Sequence, residues 1–259
     1  LSKIKYLFIS RCLSEFSGAV LPVVFPLFIL KTTHSLRLSG LFFMIAMLPS
    51  VLLTPAIGVW IEKYIKKKVA FFSVLVLAIL CSIEFVLLKI GIYDFIYLVS
   101  FAILVAVFSV MLDLSSKVLF TELVDEEELE KYNGIKSILD NLSVFAAPML
   151  GTLVYGLLGF SSLILILAVL YILAAIVIAF IPLDNEDKEI DQTVEESFIQ
   201  KFKIGLHFIS TEKSILKYFL LIMALNFFVA SSEEVTNPGI VIQKYHIPSS
   251  IFGLVSVAF

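Results

Sequence analysis

Charge is what this chain has least of. Lys, Arg, Asp and Glu together make up 16% of its 259 residues, where a soluble domain carries about 25%. Its three histidines, His34, His207 and His246, stand far apart in stretches that read as loop or linker. They offer no His-based metal or acid–base cluster. The two cysteines, Cys12 and Cys81, fall inside apolar runs and no CxxC occurs, which argues against a disulfide framework and against thiolate metal sites. Glycine patterns that cradle phosphate, GxxxxGK or GxGxxG, are missing, so direct nucleotide coupling has no support. No hydrolytic or redox constellation stands out. The expectation is therefore a protein that is not an enzyme and has no metal, organic cofactor or nucleic-acid partner.

Apolar sequence takes the place of charge. The chain is 60% hydrophobic, contains 24 Phe and has a mean hydropathy of +1.04. A soluble fold would have to hide far more apolar surface than its polar residues could cover. Runs of about 20 apolar residues, enough to cross roughly 30 Å of hydrocarbon as helix, recur over 4–30, 36–61, 69–88, 95–119, 135–158 and 160–182. A seventh covers 215–231, and an eighth begins near 249. Backbone groups facing lipid must be satisfied within the segment, and no ten-residue alternation suggests a barrel. The fold class read here is all-α: a polytopic membrane helical bundle.

The polar stretch 183–213 divides the chain into an N-terminal six-helix half, 1–182, a linker, and the start of a second half, 214–259. Its first part, Asp184 to Asp191, is acidic and unpatterned and reads as solvated linker. Its second part sets Phe198, Phe202, Leu206 and Ile209 at helical spacing. That pattern fits an amphipathic helix on the membrane face or one packed on neighbouring protein. With the N-terminus inside, 15 of the 19 basic residues lie on the inner side, and only Lys31, Arg37, Lys89 and Lys244 lie outside. The positive-inside rule then puts the N-terminus and the linker in the cytoplasm, and the protein in the cell membrane. The chain starts without Met and stops about ten residues into its eighth run, which reads as a fragment of a longer protein.

Charges inside the spans cost roughly 2.5–3.5 kcal/mol each at mid-helix and usually mark function. Glu15 lies roughly 16 Å along the first span, with Arg11 four residues earlier on the same face. Two readings stay open: Glu15 lines a substrate path or carries a coupling proton, or it forms a structural ion pair with Arg11. Asp140, roughly 9 Å into the fifth span from Gly134, is a candidate for the same network. Glu84 stands about a turn from the outer end of the third span and reads as an interface charge near Lys89. Glu233 and Glu234 end the seventh span and read as solvated. Asn141-Leu-Ser143 fits the glycosylation sequon but sits within a span, where it should stay unmodified.

Between the second and third spans stands Gly58-x-x-x-Glu62-Lys63-x-x-Lys66-Lys67-Lys68. It resembles the signature loop of the major facilitator superfamily, with Glu62, Lys63 and Lys66 as same-charge replacements. Gly58 would let two helix backbones approach. Glu62 and Lys66 would pair if the turn stays helical. The three lysines suit an anionic inner leaflet. Lys for Arg loses the bidentate fork, which implies a looser gate. Gly134, Ser143, Ala147-Pro148 and Gly151-Thr152 resemble the fifth-span motif of exporters in that superfamily, small residues being kept where the family has glycine. The bland alternative is a packing face with no bearing on direction. The stretches 121–133 and 202–209 resemble the macrolide-efflux and enterobactin-exporter branch.

The resemblance implies helices one to seven and part of eight of a twelve-helix secondary transporter. It would be an ion-gradient-driven exporter of small amphipathic molecules, with H+ as the coupling ion and alternating access as the mechanism. A facilitator or uptake symporter of the same fold, or a non-transporting membrane sensor, remains the alternative. The partners implied are a small-molecule substrate, the bilayer and the C-terminal helices of the same protein, without which the fragment should not transport. By family analogy Asp113 pairs with Lys66, making Glu62, Lys66 and Asp113 a cytoplasmic latch. One departure is that the fourth span holds no Arg, whereas many drug/proton antiporters of the superfamily carry one there.

Overall fold

A computed structural model describes residues 2–182, 210–231 and 240. Six helices follow one another: α1 (Ser2–Thr33), α2 (Leu36–Glu62), α3 (Lys66–Lys89), α4 (Phe95–Leu123), α5 (Leu129–Leu158) and α6 (Phe160–Ala179). All six are long and apolar enough to cross a membrane. A further helix, α7 (Lys213–Ser231), coincides with the expected seventh span, and its described side chains are nearly all exposed. The expected amphipathic segment at 195–209 and the eighth span from 249 lie outside the described residues.

Local chemistry sets the helix ends. Ser35 caps α2 by accepting from the Leu38 amide at 3.3 Å. Gly159, at φ 83°, turns α5 into α6 within one residue, a conformation that strains any side chain. The polar stretch 121–133 lies between the expected fourth and fifth runs, yet α4 continues to Leu123, α5 begins at Leu129, and a 3-10 turn over Glu126–Glu128 fills most of the gap. Leu, Glu and Lys are good helix formers, and the break between the two helices is confined to the extended residues Val124 and Asp125 before the 3-10 turn. Pro22 and Pro26 in α1, Pro49 and Pro55 in α2, and Pro148 in α5 all sit inside helices. Membrane helices tolerate them because neighbouring groups re-satisfy the freed carbonyls.

α1 is the axis of the bundle. It packs against α5 and α6 and touches α2 and α4, while α3 lies between α4 and α6 and α2 leans on α4. Of its most apolar stretch 56% is buried, against 11% for α2, so α1 is the helix that the others are built around. Lipid tails are as apolar as Leu, so close packing and hydrogen bonds must hold such helices together. Both are present. Phe160 stacks on Phe28 at 4.0 Å between ring centres and meets Phe25 edge-on at 5.0 Å. Ser10 donates to the Ala174 carbonyl at 3.1 Å, tying α1 to α6, and Ser39 donates to the Pro26 carbonyl at 2.9 Å, tying α2 to α1.

Candidate functional site: a charge cluster beside an apolar cavity

The helices carry Arg11, Asp113 and Asp140 to one level, each about 15 Å from the end of its helix that belongs to the lysine-rich end of the bundle. Arg11 is 6% exposed and is shared among three carboxylates. Its Nε donates to Asp140 Oδ1 at 3.0 Å, and one terminal nitrogen donates to Asp140 Oδ2 at 3.2 Å. The same nitrogen lies 2.9 Å from Glu15 Oε1 and 3.5 Å from Asp113 Oδ1. The fork on Asp140 is the planar geometry that a guanidinium offers and an ammonium does not. The other terminal nitrogen is buried without a hydrogen-bond partner among the described residues.

Two lysines complete the cluster. Lys117 reaches Asp113 at 2.7 Å and Lys136 reaches Asp140 at 3.3 Å, each one helical turn from its partner. Three cations thus face three anions across α1, α4 and α5. Balancing formal charge lowers the cost of holding six ionisable groups within the spans. Glu15, Asp113 and Asp140 remain 35%, 37% and 29% exposed. Neither lysine was singled out by sequence, although i, i+4 spacing at 113/117 and 136/140 was the available signal. The fourth span lacks an arginine, and here the guanidinium beside its Asp113 comes from α1.

Glu15 and Asp113 also line a cavity of about 400 Å³, within the ~300–1,000 Å³ of small-molecule sites. Its walls come mainly from α1, α2 and α4, including Phe25, Phe42, Phe43, Met47 and Val105, with Leu77 and Tyr171 closing it from α3 and α6. The Tyr171 hydroxyl adjoins Ser109. It would lie 3.8 Å from a Cβ built on Gly18. An apolar chamber with carboxylates on its wall suits a molecule that is itself largely apolar with a cationic or hydrogen-bonding group. Among the described residues no group of three His, Cys, Asp or Glu is arranged to hold a metal ion.

The glycine-and-lysine loop divides its work differently from expectation. α2 ends at Glu62, Lys63 follows as its cap, and α3 starts afresh at Lys66, so the turn does not stay helical. Lys66 Nζ donates to the Glu62 carbonyl at 3.0 Å. Asp113 is therefore held by Lys117 and Arg11, not by Lys66. Asp113 lies ten residues before the end of α4, about 15 Å along the axis, farther than a lysine side chain at the helix end extends. Lys67 donates to the Ala179 carbonyl at 3.1 Å and to that of Ile181, a cation closing the C-terminus of α6. Lys68 borders a surface groove with Trp60 and Tyr64. A Cβ on Gly58 would meet nothing within 4 Å, so among the described residues Gly58 does not serve a close helix approach.

In α5 the small residues do face a neighbour. Ser143, Ala147, Gly151 and Tyr155, four apart, are all buried, and α5 packs on α1. A Cβ on Gly151 would come within 2.7 Å of Val20 Cγ1, whereas one on Gly134 would meet nothing within 4 Å. Thr152 bonds back to the Pro148 carbonyl at 2.7 Å. Glu84 also departs from expectation. It is fully buried and accepts from the Tyr97 hydroxyl at 2.7 Å, while Lys89 lies over the Phe85 ring. Glu84 lies more than a turn inside α3, and α4 covers it.

Comparison with known proteins agrees with this architecture. Macrolide efflux protein A of Streptococcus pyogenes is 22% identical over 231 residues, covering 85% of this chain and 54% of the relative. Its counterpart from a serotype M6 strain gives the same values. The chain thus spans about half the length of the curated relatives it matches. A sequence profile described as Major Facilitator Superfamily matches residues 7–259, nearly the whole length. The chain is therefore a multi-pass membrane protein that belongs to the Major Facilitator Superfamily.

Proposed function

We propose that this chain is the first half, and the start of the second, of a secondary transporter that exports small amphipathic molecules from the cell. The observation that carries the proposal is the cavity of about 400 Å³ whose wall includes Glu15 and Asp113, two of the three carboxylates that share Arg11. A substrate bound there, or a proton taken up by Glu15 or Asp140, changes how many anions compete for one guanidinium. That change biases the bundle between two packings, and alternating access between two halves converts the bias into transport. Export is favoured over uptake by the small-residue face of α5 and by the similarity to a relative named for macrolide efflux.

The decisive measurement is substrate flux in inverted vesicles carrying the full-length protein, with a panel of amphipathic compounds that includes a macrolide. Uptake into the vesicles should require an imposed proton gradient and vanish when the gradient is collapsed. Glu15→Gln and Asp140→Asn should each reduce gradient-driven flux at least tenfold. Unchanged flux in both variants would remove the coupling role from this cluster.

A further inference from the structure

Away from the Arg11 cluster, the described spans bury one more carboxyl group. Glu84 of α3 is fully buried and stands five positions before the end of the helix at Lys89. Its Oε2 accepts from the Tyr97 hydroxyl at 2.7 Å, while Oε1 is buried without a hydrogen-bond partner among the described residues. None of the ion pairs among the described residues includes it. The titratable groups around it are few. α4 contributes Tyr97, and α3 itself contributes Cys81, one turn earlier and fully buried. On α6 the nearest such group is Tyr171, which interacts with Cys81. Lys89 at the end of α3 lies 5.8 Å from the Phe85 ring centre.

A carboxylate in that setting would keep a full charge in hydrocarbon-like surroundings with one hydrogen bond and no counter-ion, the arrangement proteins avoid. A carboxylic acid fits it: the proton rests on Oε1, and the carbonyl oxygen accepts from Tyr97. A merely structural link between α3 and α4 would be served as well by a neutral glutamine. An ionisable residue retained inside a span is by default a functional one.

We infer that Glu84 is a proton-binding site, separate from the Arg11 cluster and reached from the opposite end of the bundle. Tyr97 stands in the first turn of α4 and is part-exposed at that end, so the pair lies between core and solvent. Loading adds one proton from water to Oε1. Release returns that proton to water and leaves a carboxylate still held by the Tyr97 hydroxyl, with no other bond made or broken. The site deepens the transport reading by giving the coupling proton an entry distinct from the Arg11 cluster.

The test uses the full-length protein in lipid nanodiscs and reads the protonated-carboxyl stretch by infrared difference spectroscopy over a pH series, with protons as the only ligand. The wild type should show a band that titrates. Glu84→Gln, which keeps the acceptor for Tyr97, should lose it. Tyr97→Phe leaves the acid in place and should move the band to higher frequency, which keeps the test open if the first variant fails to fold. Identical titrating spectra for wild type and Glu84→Gln, or an unmoved band in Tyr97→Phe, overturns the assignment. Absent flux of every compound on the amphipathic panel in a wild type that keeps the band sinks the transport reading alone.

Discussion

Arg11 is the residue on which the interior charges depend. It serves Glu15, Asp113 and Asp140 on three helices, so deleting it takes the guanidinium from Glu15 and leaves Asp113 and Asp140 to Lys117 and Lys136 alone. Breaking a fully buried ion pair costs about 3–5 kcal/mol. The carboxylates here are roughly one-third exposed and solvent screens part of that, so Arg11→Ala should cost about 2–3 kcal/mol. Arg11→Lys should recover part of the loss by restoring charge without the fork on Asp140. Reversible unfolding of the purified protein in mixed micelles would measure both. Equal stability of wild type and Arg11→Ala would mean that the cluster is held by Lys117 and Lys136 alone. Sequence showed Arg11 and Glu15 one turn apart. That Asp140, 129 positions away, takes two of the guanidinium's hydrogen bonds depended on how α1 and α5 pack.

Among the helices, the α1–α5 seam makes the sharpest claim. Gly151 sits where a Cβ would meet Val20 Cγ1 at 2.7 Å and Cγ2 at 3.1 Å, but Val20 Cβ only at 3.4 Å. Gly151→Ala should therefore destabilise the bundle by about 1–3 kcal/mol, the usual cost of overpacking. Val20→Ala in the same molecule removes the two clashing methyl groups and should restore most of that loss in a double-mutant cycle. Additive effects would mean that the two residues do not touch. Gly134→Ala, in the same helix but with open space around it, should stabilise by roughly 0.5–1 kcal/mol through helix propensity alone. The family-like spacing of small residues in α5 was legible from sequence. Which of its two glycines faces another helix was not, because position along a helix gives its face only once the neighbour is in place.

Taken together, the described residues form a six-helix bundle with most of its lysines gathered at one end, followed by α7. We propose that the lysine-rich end lies in the cytoplasm. Single cysteines placed by His34→Cys and Glu127→Cys test this, since both positions are exposed and at opposite ends of the bundle. Cys81 is buried and Cys12 half-buried, so background labelling should be low. In intact cells a membrane-impermeant thiol reagent should label His34→Cys and spare Glu127→Cys. The reverse pattern would invert the orientation. Sequence by itself determined the number and order of the described spans, because a helix in lipid must satisfy its own backbone and be apolar over about 20 residues. Local composition is enough for that. Only the tertiary structure decided that Asp113 belongs to Arg11 and not to Lys66, that Lys67 closes α6, and that Glu84 is buried against Tyr97. Those outcomes depend on which helix faces which and at what depth, and residues on different helices, 13 positions apart for Glu84 and Tyr97 and more than a hundred for the other pairs, reveal that only when packed.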